Sequence, residues 1–186
     1  MTRIIAGVHR GRRLQTPPGD KTRPTSDRVR EALFGAVASY VDLEGARVLD
    51  LYAGSGAVGL EACSRGAEHA LLVEADARAA RVIRANVTAL GLSGTVVLAT
   101  STVAALLASA PDEPYDFVFA DPPYTLGNDE ITANLNALLT GGWLQEDALV
   151  LVERSIRTGS FEWPPGLAEI RGRRYGESIL WYGARS

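Results

Sequence analysis

Apolar residues along this chain fall into two alternating rhythms from residue 47 onward. Short apolar runs predict buried strands over 47–51, 70–74, 95–98, 115–120 and 148–153, and the stretches between them carry apolar residues at helical spacing. The spacing places helices over 57–65, 76–90, 102–109 and 129–139, with Asp76 as the N-cap of the second. Strands that alternate with helices imply a parallel sheet joined by right-handed crossovers. An earlier helix, capped by Thr25 or Ser26, runs to about Tyr40 with Val29, Ala32, Leu33, Ala36 and Val37 on one face. The carboxyl end reads differently. Leu167 to Tyr175 and Ser178 to Tyr182 are extended and separated only by Gly176-Glu177, a connection that demands an antiparallel hairpin. At the amino end, residues 3–8 and 13–16 flank the turn-like His9-Arg10-Gly11-Arg12, which predicts a basic β-hairpin.

The most informative motif lies at the end of the fourth strand of the alternating region, where Phe117-Val118-Phe119-Ala120 runs into Asp121-Pro122-Pro123-Tyr124. An acid there stands at the carboxyl edge of the sheet, where open α/β folds bind ligands. The two prolines remove two N–H donors and fix φ, which makes a stiff turn. The result is a rim with an acid, a proline carbonyl and an aromatic face, the groups that a planar base with an exocyclic amine requires. A Pro-rich turn with a capping acid is the plainer alternative.

Upstream, Asp50 ends a strand that leads into Tyr52-Ala53-Gly54-Ser55-Gly56-Ala57-Val58-Gly59. The three glycines match the dinucleotide pattern G-x-G-x-x-G. A carboxylate at Asp50, however, suits an ammonium group and sits badly beside a pyrophosphate. The loop therefore reads as built for a nucleoside with an amine-bearing tail, as in S-adenosylmethionine. Glu74, about twenty residues beyond the turn, stands where a ribose hydroxyl ligand is expected.

Charge sharpens the picture. Residues 1–30 carry eight basic and two acidic side chains, whereas the remaining residues carry eleven basic and twenty acidic ones. A basic arm on an acidic body points to phosphate, and Arg3, His9, Arg10, Arg12, Arg13, Arg23 and Arg28 are its candidate RNA contacts. We divide the chain into this arm, residues 1–22, and a single domain over 23–186. Arg171, Arg173 and Arg174 form a second basic cluster, although charge on an edge strand also guards it against aggregation. Cys63 is the only cysteine, which excludes an intrachain disulfide; with two histidines far apart, no metal site is expected. No signal peptide or long apolar span is present, so a cytoplasmic protein without membrane contact is expected.

These features together resemble the class I methyltransferases, in which Asp/Asn-Pro-Pro-Tyr/Phe marks enzymes that methylate amino nitrogens. Arg3-Ile4-Ile5-Ala6-Gly7, Arg10-Gly11-Arg12, the stretch from Arg23-Pro24-Thr25 to Leu33-Phe34, and Leu60-Glu61-Ala62-Cys63-Ser64-Arg65-Gly66-Ala67 narrow the likeness to the RsmD-type family of small-subunit rRNA methyltransferases. The resemblance implies a Rossmann-like α/β fold with a mostly parallel seven-stranded sheet, a terminal antiparallel hairpin and the N-terminal basic hairpin. It implies methylation of the N2 amine of one guanine in 16S rRNA, guanine 966, in the small subunit or its assembly intermediate. Asp50, Tyr52, Ala53, Gly54, Ser55, Gly56, Glu74, Ala75, Ser101 and Asp121 would line the S-adenosylmethionine pocket. Asp121, Pro122, Pro123 and Tyr124 would hold the guanine. Tyr52 stands where the family pattern has phenylalanine, and Thr100-Ser101-Thr102 lacks the acid common after the third strand. Monomer is the default expectation. Two other classes compete. A nicotinamide-linked oxidoreductase leaves the Asp-Pro-Pro-Tyr turn and the arm unexplained. A non-catalytic RNA-binding assembly factor leaves the cofactor loop unexplained. Adenine N6 and protein amides are rival acceptors.

Overall fold

A computed structural model describes residues 2–19 and 26–186. Arg23, Thr25 and the boundary drawn between residues 22 and 23 lie outside the described residues. Seven strands form the main sheet: β3 (Arg47–Asp50), β4 (His69–Val73), β5 (Val96–Ala99), β6 (Tyr115–Ala120), β7 (Leu144–Ser155), β8 (Leu167–Tyr175) and β9 (Ser178–Arg185). They stand in the order β5-β4-β3-β6-β7-β9-β8, the first five parallel and β9 antiparallel to both of its neighbours. From β3 the chain steps outward through β4 to β5, then returns to lay β6 on the other side of β3. The order reverses between β3 and β6, and such a switch opens a crevice at the carboxyl ends of the strands.

Two apolar layers sandwich the sheet. One face packs Val48, Leu72, Phe117 and Phe119 beneath α1 (Asp27–Val37), α2 (Ala57–Ser64) and α3 (Ala77–Leu90). The other packs Leu49, Leu71, Val118 and Val150 beneath α4 (Val103–Leu107) and α5 (Asn128–Thr140). Both faces of the central strands are therefore apolar, as in parallel sheets generally. Asp76 caps α3 as expected, its side chain accepting from the amides of Arg78 and Ala79, an arrangement worth about 1 kcal/mol. Ser26 caps α1 by accepting from Val29 N. Among the described residues, no helix is long and apolar enough to cross a membrane.

Several boundaries differ from the sequence reading. The helix expected to reach Tyr40 stops at Val37, and the one expected over 102–109 covers only 103–107. β7 begins at Leu144 rather than 148, with Asp147 at φ 60, and β9 continues to Arg185. The N-terminal hairpin is present as expected, with shorter strands. Its paired strands are β1 (Thr2–Arg3) and β2 (Arg13–Leu14); the Ile4 amide still donates to Arg12 O at 2.9 Å, but those of Ile5 and Ala6 leave the hairpin for Glu61 in α2.

Candidate active site

β3 ends at the switch point, and alternation turns Asp50 toward the α2–α3 layer, where it is 1% exposed. One carboxylate oxygen accepts from the amide of Gly59 at 3.2 Å, and the other has no donor among the described residues. Burial, with Glu74 adding to it and the Gly59 amide opposing it, pushes the carboxyl up to about 7. A buried oxygen without a donor is costly, and an ammonium group brought to it would remove that cost.

The loop after β3 is closed by its own backbone and by neighbouring acids. Gly56 adopts φ 84, which glycine alone tolerates at no steric cost, and its amide donates to Ala53 O at 2.7 Å. A Cβ on Gly59 would lie 2.6 Å from the Leu72 side chain, so the third glycine lets α2 sit tightly on β4. Glu74 follows β4. One of its oxygens takes the Gly54 amide at 2.9 Å and the other takes the Asp76 amide at 3.2 Å. Each oxygen keeps a second lone pair, so Glu74 still has acceptor capacity for a hydroxyl. Beside it Ala75 is exposed, and the Ser101 amide closes the rim by donating to Glu74 O at 3.2 Å. The Ser101 hydroxyl is turned to Thr102 O instead. Asn86 of α3 donates to Ser55 O and holds Gln15 through both its amide and its carbonyl. Asn134 of α5 donates to the Tyr52 hydroxyl at 3.0 Å, and burial pushes that phenol up to about 12.

Across the switch point stands the second rim. The register Ala120↔Val152 brings Asp121 level with Glu153 on β7, while Phe119 pairs with Asp50 on β3. Asp121 therefore lies between two other acids. Burial first, then Glu153 and Asp50, hold its carboxyl well above the usual range, against the pull of Arg154. Pro122 is buried, Pro123 is exposed, and the Tyr124 ring is 75% exposed. Arg154, 3% exposed, fixes the turn from behind. Its guanidinium donates to Pro123 O at 3.3 Å, Leu126 O at 2.8 Å and Asn128 Oδ1 at 3.1 Å. Leu126 N adds a bond to Pro123 O at 2.9 Å, and Asn128 ties the base of the turn to Thr158 O at 2.7 Å. The rim is thus built with its aromatic ring facing solvent and the carbonyls of Pro123 and Leu126 bonded from within.

Sequence reasoning named the acids, the glycines and Tyr124 but missed Glu153, Arg154, Asn128, Asn134 and Asn86. One signal was available: Glu153-Arg154 closes the apolar run Ala148–Val152, so two charges stand at the carboxyl edge of a central strand. The asparagines carry no such mark.

The basic arm is pinned rather than loose. Glu61, wholly buried, accepts from Ile5 N at 2.8 Å, Ala6 N at 3.0 Å and Arg65 Nε at 2.9 Å. The His9 amide donates to Ser64 Oγ at 3.0 Å. Arg3 pairs with Asp27, and Arg12 reaches Ala89 O, so both already have partners on the body. Arg10, Arg13 and Arg28 are exposed. Cys63 is buried and its thiol pushed up to about 12, and His69 meets the Tyr115 hydroxyl at 3.2 Å away from the site.

A family model described as conserved hypothetical protein 95 matches residues 2–184. The chain is 41% identical over 157 residues to ribosomal RNA small subunit methyltransferase D of Escherichia coli (strain K12), covering 84% of this chain and 76% of that protein. It is 35% identical over 176 residues to a Bacillus subtilis (strain 168) protein described as a candidate rRNA methyltransferase, covering 94% of each. A solved Escherichia coli structure described as a candidate methyltransferase aligns with a TM-score of 0.87 at 37% identity, over 100% of this chain and 98% of that one. The class I methyltransferase architecture expected from the sequence is the one observed.

Proposed function

The chain belongs to the conserved hypothetical protein 95 family, the RsmD family, and from that premise we propose that it methylates rRNA of the small ribosomal subunit. The methyl donor in this reading is S-adenosylmethionine and the acceptor is the exocyclic N2 amine of one guanine in 16S rRNA, guanine 966 by the family resemblance. The protein acts as a cytoplasmic monomer on the subunit or its assembly intermediate. What carries the reading is the pairing of Asp50 and Asp121 across the switch point. The first is a buried acid short of one donor, and the second sits on a rigid rim beside an open ring.

The residues fit such a donor. Asp50 would take the ammonium of the amino-acid tail, Glu74 the ribose, and Gly54 to Gly56 would let the nucleoside approach the backbone. When bound, S-adenosylmethionine supplies an electrophilic methyl on a sulfonium, open to in-line displacement by the nitrogen lone pair. The protein's own work lies on the acceptor. The guanine N2 lone pair is conjugated into the ring, so the amine is a poor nucleophile until its hydrogens are held. Asp121 and Pro122 O accept those two hydrogens and favour a more tetrahedral nitrogen. Tyr124 stacks on the base once it is turned out of the RNA. Asp121 orients the amine, and the surplus proton leaves to water. Acceleration then comes chiefly from positioning, with no covalent enzyme intermediate.

The test is transfer of labelled methyl from S-adenosylmethionine to small subunits from cells lacking this protein, followed by identification of the nucleoside. N2-methylguanosine at one site is the expected result. Label in another nucleoside overturns the acceptor, and no label on subunits despite cofactor binding overturns the rRNA reading.

A further inference from the structure

The antiparallel hairpin β8–β9 forms the edge of the sheet beyond β7, and the cofactor and base sites leave it without a role. Its register places it level with the catalytic rim. Asp121 stands beside Glu153, Glu153 pairs with Leu180 on β9, and Leu180 pairs with Arg173 on β8. Three strand spacings separate Asp121 from Arg173, roughly 14 Å. Arg171 pairs with Tyr182, two residues along, so both arginines project on the face that also holds Asp50, Asp121 and α1. Arg174 follows at the turn, its Nε donating to Gly176 O at 2.9 Å.

The two face-sharing arginines are held by rings. The Arg171 guanidinium lies 4.8 Å from the centroid of Tyr182 and that of Arg173 lies 5.7 Å from the centroid of Tyr175. Stacking engages the flat face of a guanidinium and leaves its in-plane N–H groups to donate to phosphate, the whole edge on exposed Arg173 and the terminal Nη groups on half-buried Arg171, whose Nε is covered. Among the described residues, no carboxylate lies within 4.0 Å of Arg171, Arg173 or Arg174. The acid at the hairpin tip, Glu177, is engaged by Arg157 at 3.5 Å. By contrast Arg3, Arg30 and Arg65 all have carboxylate partners. Charge placed only to guard an edge strand requires neither a shared face nor ordered stacking.

We infer that Arg171, Arg173 and Arg174 form a second phosphate-binding surface, which grips the RNA backbone on the side of the Asp121–Tyr124 rim opposite the N-terminal arm. The arm packs on α2 and α3, above β3 to β5, and the hairpin lies beyond β7. The target nucleotide is thus held between two positive surfaces on an otherwise acidic body. This inference rests on the rRNA reading above and adds to it where the strand is held.

The experiment compares wild type with the triple variant Arg171→Gln/Arg173→Gln/Arg174→Gln for binding to protein-free 16S rRNA across a range of KCl concentrations. It also compares methyl transfer to small subunits and binding of S-adenosylmethionine. The triple variant is expected to show a log–log salt slope shallower by about two and affinity for rRNA roughly 100-fold weaker at 0.1 M salt. KM for subunits rises, while kcat at saturation and cofactor affinity stay at the wild-type values. The charge-retaining Arg171→Lys/Arg173→Lys/Arg174→Lys variant is expected to keep the wild-type slope. An unchanged slope in the glutamine variant, with wild type binding rRNA normally, overturns the inference and leaves the rRNA reading standing. So does a slope lost equally in the lysine variant, which would report misfolding. Weaker action on subunits with unaltered binding to protein-free rRNA assigns the hairpin to a protein contact instead. If wild type binds no rRNA, the rRNA reading falls and this inference falls with it.

Discussion

The two halves of the candidate site are built on different plans. The side proposed for the cofactor is assembled from neighbours in sequence and from the adjoining strand: Gly54 on Glu74, Gly59 on Asp50, and a turn set by the φ of Gly56. Its acids are themselves the braces, and Asp50 keeps one oxygen in reserve. The base side has no such local closure. Its turn is stiffened by two prolines and held by Arg154, which arrives from a strand formed some thirty residues later. The difference teaches where each half is vulnerable. Damage to the first should be read in cofactor affinity, damage to the second in turnover or in KM for the subunit.

Four variants sharpen that contrast, in descending order of effect. Asp121→Ala removes the proposed acceptor for the amine and is expected to lower kcat by at least about 100- to 1,000-fold with cofactor affinity nearly intact, checked by single-turnover transfer beside calorimetry. Arg154→Met leaves the acceptor in place but frees the turn. A displacement of about 1 Å costs on the order of 100-fold, so kcat should fall by that order, with partial recovery in Arg154→Lys. Equal loss in cofactor affinity would erase the distinction between the two halves. Tyr124→Ala removes one stacked base, worth about 1–3 kcal/mol, which predicts a fall in kcat/KM of roughly 5- to 150-fold carried mainly by KM for the subunit.

The smallest effect belongs to the cofactor side and is a matter of pH. The Asp50 carboxyl is raised by burial to about 7. The ionised form is the one that attracts an ammonium group. Affinity for S-adenosylmethionine should therefore be roughly five- to ten-fold weaker at pH 6 than at pH 7.5, and Asp50→Asn should abolish this dependence. Stability follows with its own sign. A folded pKa above the unfolded one means that the native state holds the extra proton, so stability is lost as pH rises from about 4 to 7. Asp50→Asn should therefore gain on wild type across that window, by roughly 4 kcal/mol at most, and no further above it. Urea titrations at pH 5 and pH 8 check this.

Much of this arrangement is legible in the sequence because it is periodic or local. The apolar runs of β3, β4 and β6 bury both faces of a parallel sheet, and these and the edge strand β5, where Val97 is exposed, could be read as strands within a residue or so of their ends. Asp50, Glu74 and Asp121 could be read because a lone acid at the end of such a run contradicts its surroundings. Arg154 has the same signature but was lost within a charged pair, since nothing local says that its partners are the carbonyls of Pro123 and Leu126. Asn86 and Asn134 act through amides on helix faces, and an asparagine at helical spacing looks like any polar position. The arm reads correctly as a hairpin, but the ends of its strands could not be read, for a related reason. Its strands are short because a glutamate fifty-five or more residues away takes two of its donors.

That glutamate also changes what the arm is as a material object. Two amides closed by a wholly buried carboxylate exchange with solvent only when the arm lifts from α2, and lifting it would leave the Glu61 carboxylate short of two donors. In deuterium-labelling time courses, Ile5 and Ala6 should accordingly lag with the interior of the protein, not with its frayed end. A segment whose composition marks it as a tail would then hold to the body through the buried charge of α2.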